Sequence, residues 1–320
     1  MPAFDRPEVD YSYRIESQLR ALRNYRDQAP GRAIPGRSND RLLVATWNIA
    51  NLGLHERDAN DYRLIAEIVS WFDLVAVQET NNDLIGLRAV KAELPDVYHM
   101  IFSDQAGNNE RMAFVYDAGR LDLLEETGEI AVPPRWKHVI RVPGSKQKFG
   151  GFDRNPFLAV FRLKGTDFEL GVVNVHLYFG SESTISANRR FMEALATARW
   201  ADLRRNDRAA YTKNMIVLGD FNLEKADWGD SIWEMLGKRG LFLAPHSTYV
   251  GGSNIKDDRP YDQIGFFPGT VMDTLEDSGV FDFDGAVFST LFQRSSMKDF
   301  LAYVRYHLSD HRPLWVSFHV

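Results

Sequence analysis

Short apolar segments that stop at a polar side chain recur along this sequence and constrain its fold more than any other feature. The clearest covers residues 215–218, a run typical of a buried strand, and it is followed by Gly219, Asp220, Phe221 and Asn222. A glycine at that point permits a sharp bend or a close approach to the backbone. If the extended geometry continues, Asp220 and Asn222 point in one direction from the sheet edge.

Asp220 and Asn222 together favour a functional site over a core position. A carboxylate and an amide that project side by side offer hard oxygen ligands to a divalent cation and polar contacts to a phosphate. The alternative is an ordinary turn that closes the strand, because aspartate and asparagine are frequent in turns.

The same arrangement recurs at other apolar runs, and the repetition favours the site over the turn. The polar residues that adjoin these runs are Asn48, Glu79, His176, Asp262, Asp310 and His311. Because several buried strands each deliver such a side chain, we expect them to form one site at one edge of a sheet core.

Six short motifs carry these residues in a fixed order between about residues 41 and 320. They are Trp47-Asn48-Ile49, Gln78-Glu79-Thr80, Val175-His176, Gly219-Asp220-Phe221-Asn222, Tyr261-Asp262-Gln263-Ile264 and Ser309-Asp310-His311. This ordered set resembles the endonuclease/exonuclease/phosphatase superfamily, which includes DNase I, apurinic/apyrimidinic endonucleases, neutral sphingomyelinases, inositol polyphosphate 5-phosphatases and deadenylases. The resemblance implies an α/β (α+β) fold, a DNase I-like four-layer sandwich of two packed mixed β-sheets flanked by helices.

The resemblance also implies Mg²⁺-assisted, in-line hydrolysis of a phosphate ester, with Mn²⁺ or Ca²⁺ as alternative ions. The implied metal residues are Asn48, Glu79 and Asp310, and the implied catalytic residues are His176, Asp220, Asn222, Asp262 and His311. His311 is expected to be the general base, because imidazole titrates near neutral pH, and Asp262 is expected to orient it. Whether His311 or Asp220 activates the water stays open at this point.

Glu79 is also the natural metal ligand on chemical grounds. Magnesium keeps several waters and takes only one or two protein carboxylates, so a sparse set of ligands is expected. The alternative for Glu79 alone is a surface salt bridge.

Two further residues are expected to support the site. Glu110 precedes the predicted strand 112–116, where it could hydrogen-bond one nitrogen of His176 and fix its tautomer; the alternative is an exposed turn. Arg154 lies in Asp153-Arg154-Asn155-Pro156, which resembles the family's Arg-x-Pro element. That element implies a contact between the guanidinium and a substrate phosphate.

Residues 133–156 form the most basic stretch, with six lysines and arginines and a single aspartate. Trp136, Phe149 and Phe152 are interleaved with these charges. Basic side chains neutralise phosphates and aromatic faces stack on bases, so the stretch favours a nucleic-acid substrate. A solvated loop is the alternative.

Composition limits the remaining possibilities. The 320 residues are 44% hydrophobic and 26% charged, which is ordinary for a globular protein, and the net charge of −6 gives no general attraction for polyanions. No apolar run is long enough for a membrane helix, so no membrane partner is expected. The start of the chain lacks a signal-peptide pattern and cysteine is absent, which favours a cytoplasmic protein. The sequence leaves the oligomeric state open.

The chain is predicted to divide into an N-terminal helix and linker, residues 1–40, and one catalytic domain, residues 41–320. Tyr11, Ile15, Leu19 and Leu22 recur at helical spacing, which predicts an amphipathic helix near residues 10–27. Pro30-Gly31 and Pro35-Gly36 predict the loop that follows. The helix either packs on the catalytic domain or shapes a partner or substrate site.

The function that these observations favour is a DNase I-like phosphodiesterase that acts on nucleic acid, with DNA favoured over RNA. One alternative is a phosphatase that acts on small phosphomonoesters or on lipid or inositol headgroups. The other is an inactive scaffold, which the presence of Glu79, Asp310 and His311 disfavours because degenerate relatives usually lose these residues.

Overall fold

Two six-stranded β-sheets form the centre of the computed structural model, which describes residues 3–28, 33–225, 231–243 and 251–320. In chain order the strands are β1 (Arg41–Leu52), β2 (Leu74–Asn81), β3 (Tyr98–Phe102), β4 (Glu110–Asp117), β5 (Leu121–Glu129), β6 (Phe157–Leu163), β7 (Glu169–His176), β8 (Met215–Asp220), β9 (Phe242–Leu243), β10 (Asp262–Phe266), β11 (Leu275–Val280) and β12 (Leu314–His319). The helices are α1 (Ile15–Gln28), α2 (Ala59–Val69), α3 (Ile85–Glu93), α4 (Pro134–Lys137), α5 (Thr184–Arg205), α6 (Ser231–Gly237), α7 (Thr270–Asp273), α8 (Ser289–Arg294) and α9 (Met297–His307).

Both sheets are mixed. Their strand orders are β11-β12-β1-β2-β4-β3 and β5-β6-β7-β8-β10-β9. The pairs β1–β2 and β7–β8 are parallel, and the other strand pairs of the described residues are antiparallel.

Alternate residues of each central strand are buried on opposite faces. Leu42 and Val44 of β1 lie in the core between the sheets, whereas Leu43 and Ala45 lie in a second core with residues of α2 and α9. A third core joins the outer face of the second sheet to α5 and α6. Because both faces are covered, the strands read as continuous apolar runs. The layers are therefore helices, sheet, sheet and helices, which confirms the predicted fold class.

Strand direction brings the polar ends together. Parallel neighbours end at the same edge of a sheet, and an antiparallel neighbour begins there. In the second sheet, Asp220 at the end of β8 is in register with His176 at the end of β7 and with Asp262 at the start of β10. In the first sheet, β1 and β2 end beside each other, and Asn81 of β2 pairs with Glu110 at the start of β4.

The N-terminal helix begins later than predicted, at Ile15, so the expected start near residue 10 is wrong. Tyr11 still packs edge-on against Tyr303, with ring centroids 5.6 Å apart, although its backbone is not helical. Leu19 and Leu22 are buried against the first sheet's helices, so the helix packs on the rest of the molecule. Pro30-Gly31 lies outside the described residues, and the division of the chain at residue 40 stays a prediction.

Among the described residues, the helices are too short or too polar for any of them to span a lipid bilayer.

Candidate active site

Asp220 lies at the centre of the assembled strand ends and is buried. Its Oδ1 accepts a hydrogen bond from the backbone amide of Asn222 at 2.8 Å, and its Oδ2 accepts one from Nδ2 of Asn48 at 3.0 Å. The second contact crosses from one sheet to the other. Asp220 therefore joins the two sheets at the edge where the sequence predicted a site.

The backbone beside Asp220 departs from a regular strand. Gly219 has φ of 137°, and a Cβ at this position would lie 2.0 Å from the carbonyl oxygen of Val175, so only glycine fits. Asn222 has φ of 52°, in the left-handed region, and its Nδ2 donates to the carbonyl of Leu177 at 2.7 Å. Extended geometry ends at Asp220, so the condition for Asp220 and Asn222 to share one direction is not met.

His311 and Asp262 form a close pair beside Asp220. Nδ1 of His311 lies 2.7 Å from Oδ2 of Asp262, and its Nε2 lies 3.9 Å from Oδ2 of Asp220. Ser253 donates its hydroxyl to Oδ2 of Asp262 at 2.7 Å and so fixes the carboxylate. Burial disfavours a charged imidazole, but the Asp262 carboxylate outweighs this and raises the pKa of His311 well above its ordinary value.

His176 and Glu110 form a second pair on the other side of Asp220. Nδ1 of His176 lies 3.0 Å from Oε2 of Glu110, and its Nε2 lies 3.7 Å from Oδ2 of Asp220. Burial acts to raise the pKa of Glu110, but the neighbouring His176 outweighs it and lowers this pKa to about 2. The structure therefore places Glu110 beside His176, where the sequence predicted it, and not in an exposed turn.

Glu79 and Asn48 lie next to this centre and carry the oxygen atoms that suit a cation. Oε1 of Glu79 accepts from Nδ2 of Asn48 at 3.1 Å, and Oε2 accepts from the amide of Asn51 at 2.8 Å. Oδ1 of Asn48 is buried and has no hydrogen-bond partner among the described residues. Such an oxygen beside a buried carboxylate fits a divalent cation, because the ion would satisfy both groups.

The electrostatics of Glu79 also favour a bound cation. Burial raises the pKa of Glu79, and the charges of Glu110 and Asp310 add to that rise. Its φ of 57° is a strained, left-handed conformation, of the kind that clusters at functional sites. The surface salt bridge considered from the sequence is excluded, since only 4% of Glu79 is exposed.

The third predicted metal residue, Asp310, is half-buried, and its charge raises the pKa of both Glu79 and His311. A different trio has its ligand atoms closest together. Asp220, Asp262 and His311 each offer one ligand atom, and these atoms lie within 4.8 Å of one another. The site thus contains two neighbouring groups that could hold a cation.

The guanidinium of Arg154 contacts other groups of the protein itself. The side chain is 3% exposed, its Nε donates to the carbonyl of His176 at 2.8 Å, and its Nη2 donates to that of Leu177 at 3.0 Å. Nη1 lies 3.7 Å from Oε2 of Glu110. Arg154 therefore positions the end of β7 and neutralises Glu110, which the sequence did not predict, and its phosphate contact stays a prediction.

Two serines that hold the site together were also not predicted. Ser309 donates its hydroxyl to the carbonyl of Asn48 at 2.6 Å and accepts from the amide of His311 at 3.0 Å, and Ser253 fixes Asp262 as described above. Ser309 could have been predicted because it directly precedes Asp310 and His311 in the sequence. Ser253 lies in a polar loop, where no sequence feature indicates its contact with Asp262.

The basic stretch 133–156 contributes charge but fewer aromatic faces than predicted. Phe149 is 4% exposed and lies in the third core, and Phe152 packs edge-on against it. The suggestion that Phe149 stacks on a base is therefore wrong. The side chains of Arg135, Lys146 and Lys148 are exposed to solvent.

Comparisons with known proteins agree with the order of the motifs. A model of the Endonuclease/Exonuclease/phosphatase family matches residues 45–311. A protein of Thioalkalivibrio sp. (strain K90mix) named Deoxyribonuclease is 25% identical over 308 residues, which cover 89% of this chain and 73% of that protein.

Solved structures of similar shape show the fold alone, since their sequences are distant. The endonuclease/exonuclease/phosphatase from Bacteroides vulgatus is 15% identical with a TM-score of 0.55, over 88% of this chain and 99% of that chain. The human Nocturnin catalytic domain with a bound sulfate anion is 15% identical with a TM-score of 0.52, over 87% and 94% of the two chains.

Proposed function

Since this chain belongs to the endonuclease/exonuclease/phosphatase family, we propose that it is a Mg²⁺-dependent phosphodiesterase that hydrolyses nucleic acid as a DNase I-like endonuclease. DNA is favoured over RNA as the substrate, because the relative from Thioalkalivibrio is named a deoxyribonuclease.

One observation carries the proposal, namely that two histidines, each held by a carboxylate, face Asp220 from opposite sides. Their Nε2 atoms lie 3.7 Å (His176) and 3.9 Å (His311) from Oδ2 of Asp220. Hydrolysis of a phosphodiester requires a base for the water, stabilisation of charge on the phosphoryl oxygens and a proton or charge for the leaving oxygen. Groups for each task are present within this cluster.

His311 acts as the general base in this proposal. Asp262 accepts from Nδ1, which leaves Nε2 directed toward Asp220 and available to a water molecule. Ser253 keeps the accepting oxygen of Asp262 in place. Asp220 then positions the water and, through Asn48, connects it to the cation site.

His176 acts on the opposite side, on the phosphoryl or leaving oxygen. Oε2 of Glu110 lies 3.0 Å from its Nδ1, so Nε2 is the atom available to the substrate. Asn222 contributes by holding Asp220 through its amide and Leu177 through its side chain. Arg154 keeps His176 and Leu177 in register and is proposed to add positive charge behind the phosphate.

A magnesium ion is proposed to bind at Glu79 and Asn48, with Asp310 nearby, and not at the trio that contains His311. Magnesium prefers oxygen ligands, and Glu79 with the unpartnered Oδ1 of Asn48 offers them. When bound, such an ion neutralises charge that develops on the phosphoryl oxygens. Because the pKa of His311 is raised, a proton competes with a metal ion for the imidazole nitrogen that this trio would offer as a ligand.

Supercoiled plasmid DNA incubated with Mg²⁺ tests the proposal. We expect nicking that is lost with EDTA and lost in Asp220→Ala. A parallel assay follows inorganic phosphate released from small phosphomonoesters. Phosphate release without any cleavage of DNA or RNA by folded protein would overturn the proposal in favour of a phosphatase.

A further inference from the structure

A cavity of about 700 Å³ opens beside His311 and Asp310, which form part of its wall. One side is built by the segment 254–261, and the other by the exposed face of α9. The roles proposed above use His311 and Asp310 and assign none to the rest of the wall of the cavity. Its volume lies in the range of sites that hold one ligand the size of a nucleotide or larger.

Four lysines and arginines line the cavity, together with the carboxylates of Glu182, Asp258 and Asp310. Lys256 and Lys298 are exposed and have no ion-pair partner among the described residues. Arg259 adds a third charge and lies 4.0 Å from Glu224, at the limit of an ion pair. Lys256 and Lys298, which form no ion pair among the described residues and lie beside a proposed phosphodiester site, match a backbone of further phosphates.

Arg305 supplies a fourth cation and is held by the start of the chain. Its guanidinium carbon lies 3.8 Å from the ring centroid of Phe4, a cation–π contact, and Phe4 donates its amide to Nε2 of His55 at 3.1 Å. The N-terminal segment therefore fixes one wall of the cavity.

The floor of the cavity suits a sugar or a base. Met297 is 56% exposed, Leu301 and Ala302 are half-buried, and the ring of Tyr261 lies 6.1 Å from the ring of His311. Exposed apolar and aromatic side chains between cations are typical of surfaces that track a nucleic-acid strand. An isolated phosphate or small phosphomonoester is too small to contact both the apolar side chains and the several cations that line the cavity.

We propose that this cavity binds the nucleic-acid strand adjoining the scissile phosphate, with Lys256 and Lys298 on its flanking phosphates and Met297 and Leu301 against its sugars and bases. This inference rests on the proposed function. It adds that efficient cleavage requires several nucleotides on one side of the bond.

The double substitution Lys256→Ala with Lys298→Ala tests the proposal. Its matched control is Lys213→Ala, an exposed lysine before the opposite end of β8. The substrate is an oligonucleotide of about 12 nucleotides, within the roughly 4–16 that such surfaces cover, used single-stranded and annealed. We expect kcat/KM of the double variant to fall about tenfold on at least one of the two forms, relative to the control.

Salt dependence separates a phosphate contact from a structural role. Each lost contact to a single strand is expected to reduce the slope of log Kd against log salt by about 0.7, hence by about 1.4 for the double variant. Binding is measured by anisotropy in EDTA, which stops cleavage. An active wild type whose double variant matches Lys213→Ala in kcat/KM and slope overturns this inference alone. A wild type that cleaves neither oligonucleotide nor plasmid overturns the proposed function.

Discussion

Nδ1 of His311 lies 2.7 Å from Oδ2 of Asp262, while Nε2 of the same ring lies 3.9 Å from Oδ2 of Asp220. The Asp262 carboxylate thus orients the imidazole, and the Asp220 carboxylate lies beside the nitrogen that is available for catalysis. The arrangement makes the protonation of His311 the first property to test.

Replacement of Asp262 by Asn should shift the acidic limb of the pH–rate profile to lower pH. Asp262 raises the pKa of His311 well above 6.5, and a general base must be neutral, so wild-type activity should rise with pH through that raised pKa. Without the carboxylate the pKa moves back toward its ordinary value. The plateau rate should also fall, by roughly 10²–10⁴-fold, because the ring loses its orientation.

The control for Asp262→Asn is Asp273→Asn, an exposed aspartate at the end of α7. Its profile should match the wild type. An unchanged acidic limb in Asp262→Asn would remove Asp262 from the titration of His311.

Glu79→Gln should weaken Mg²⁺ binding and yet stabilise the protein that lacks metal. Burial and neighbouring carboxylates raise the pKa of Glu79, so its charge opposes folding when no cation is bound. A cation that binds the folded state adds stability, about 2.7 kcal/mol at a concentration 100 times Kd. Wild type should therefore gain more in unfolding temperature from Mg²⁺ than the variant.

Thermal unfolding in EDTA and in Mg²⁺ measures both effects, and Glu93→Gln, an exposed glutamate at the end of α3, serves as the control. If Mg²⁺ raised the unfolding temperature of wild type and Glu79→Gln equally, the ion would bind away from Glu79, at the trio of Asp220, Asp262 and His311.

The main effect of Arg154→Ala should be a lower free energy of unfolding, with a smaller effect on substrate affinity. The change removes two hydrogen bonds to backbone carbonyls and a guanidinium that lies 3.7 Å from the buried Glu110 carboxylate. Breaking one partner of a buried charge pair costs about 3–5 kcal/mol. Urea denaturation measures this loss. A variant with full stability and a raised KM would instead support the phosphate contact predicted from the Arg-x-Pro element.

His55 should make the N-terminal segment sensitive to acid. Burial, together with the nearby charge of Arg57, lowers the pKa of His55 to about 3 from 6.5 and outweighs the contact of its Nδ1 with the carbonyl of Tyr306, which acts to raise this pKa. Its Nε2 accepts a hydrogen bond from the amide of Phe4. The unfolded state binds the proton first, so this residue's contribution to stability is complete above pH 6.5 and is lost as the pH falls toward 3.

The difference in unfolding free energy between wild type and His55→Gln should therefore shrink as the pH falls through that range. His99→Gln, which alters an exposed histidine, provides the reference for general acid effects. A difference that stays constant with pH would show that His55 does not titrate in this way.

Much of the fold followed from local pattern. Residues 215–218 and 42–47 are buried on both faces, and such strands leave an apolar signature that needs no tertiary knowledge. The polar strand ends then converge because of strand direction alone. For this reason Asp220, His176 and Asp262 lie side by side, at paired register positions on adjacent strands.

The features that the sequence did not predict depend on tertiary contacts. The sequence around Arg154 looks the same whether its guanidinium faces solvent or the carbonyls of a neighbouring strand. Phe149 follows basic residues, but the third core covers it. Tyr11 fits a helical period, yet it packs on Tyr303 from the segment that precedes α1, because contact with a neighbouring aromatic ring does not require a helix.

The rate of plasmid nicking by His311→Ala is the decisive measurement for the role of His311 as general base. Wild type and variant are compared at saturating Mg²⁺, with equal folded fractions established by circular dichroism. We expect the rate of the variant to be lower by roughly 10²–10⁴-fold, the range for loss of a general base. A folded His311→Ala protein that nicks plasmid at the wild-type rate would contradict this role.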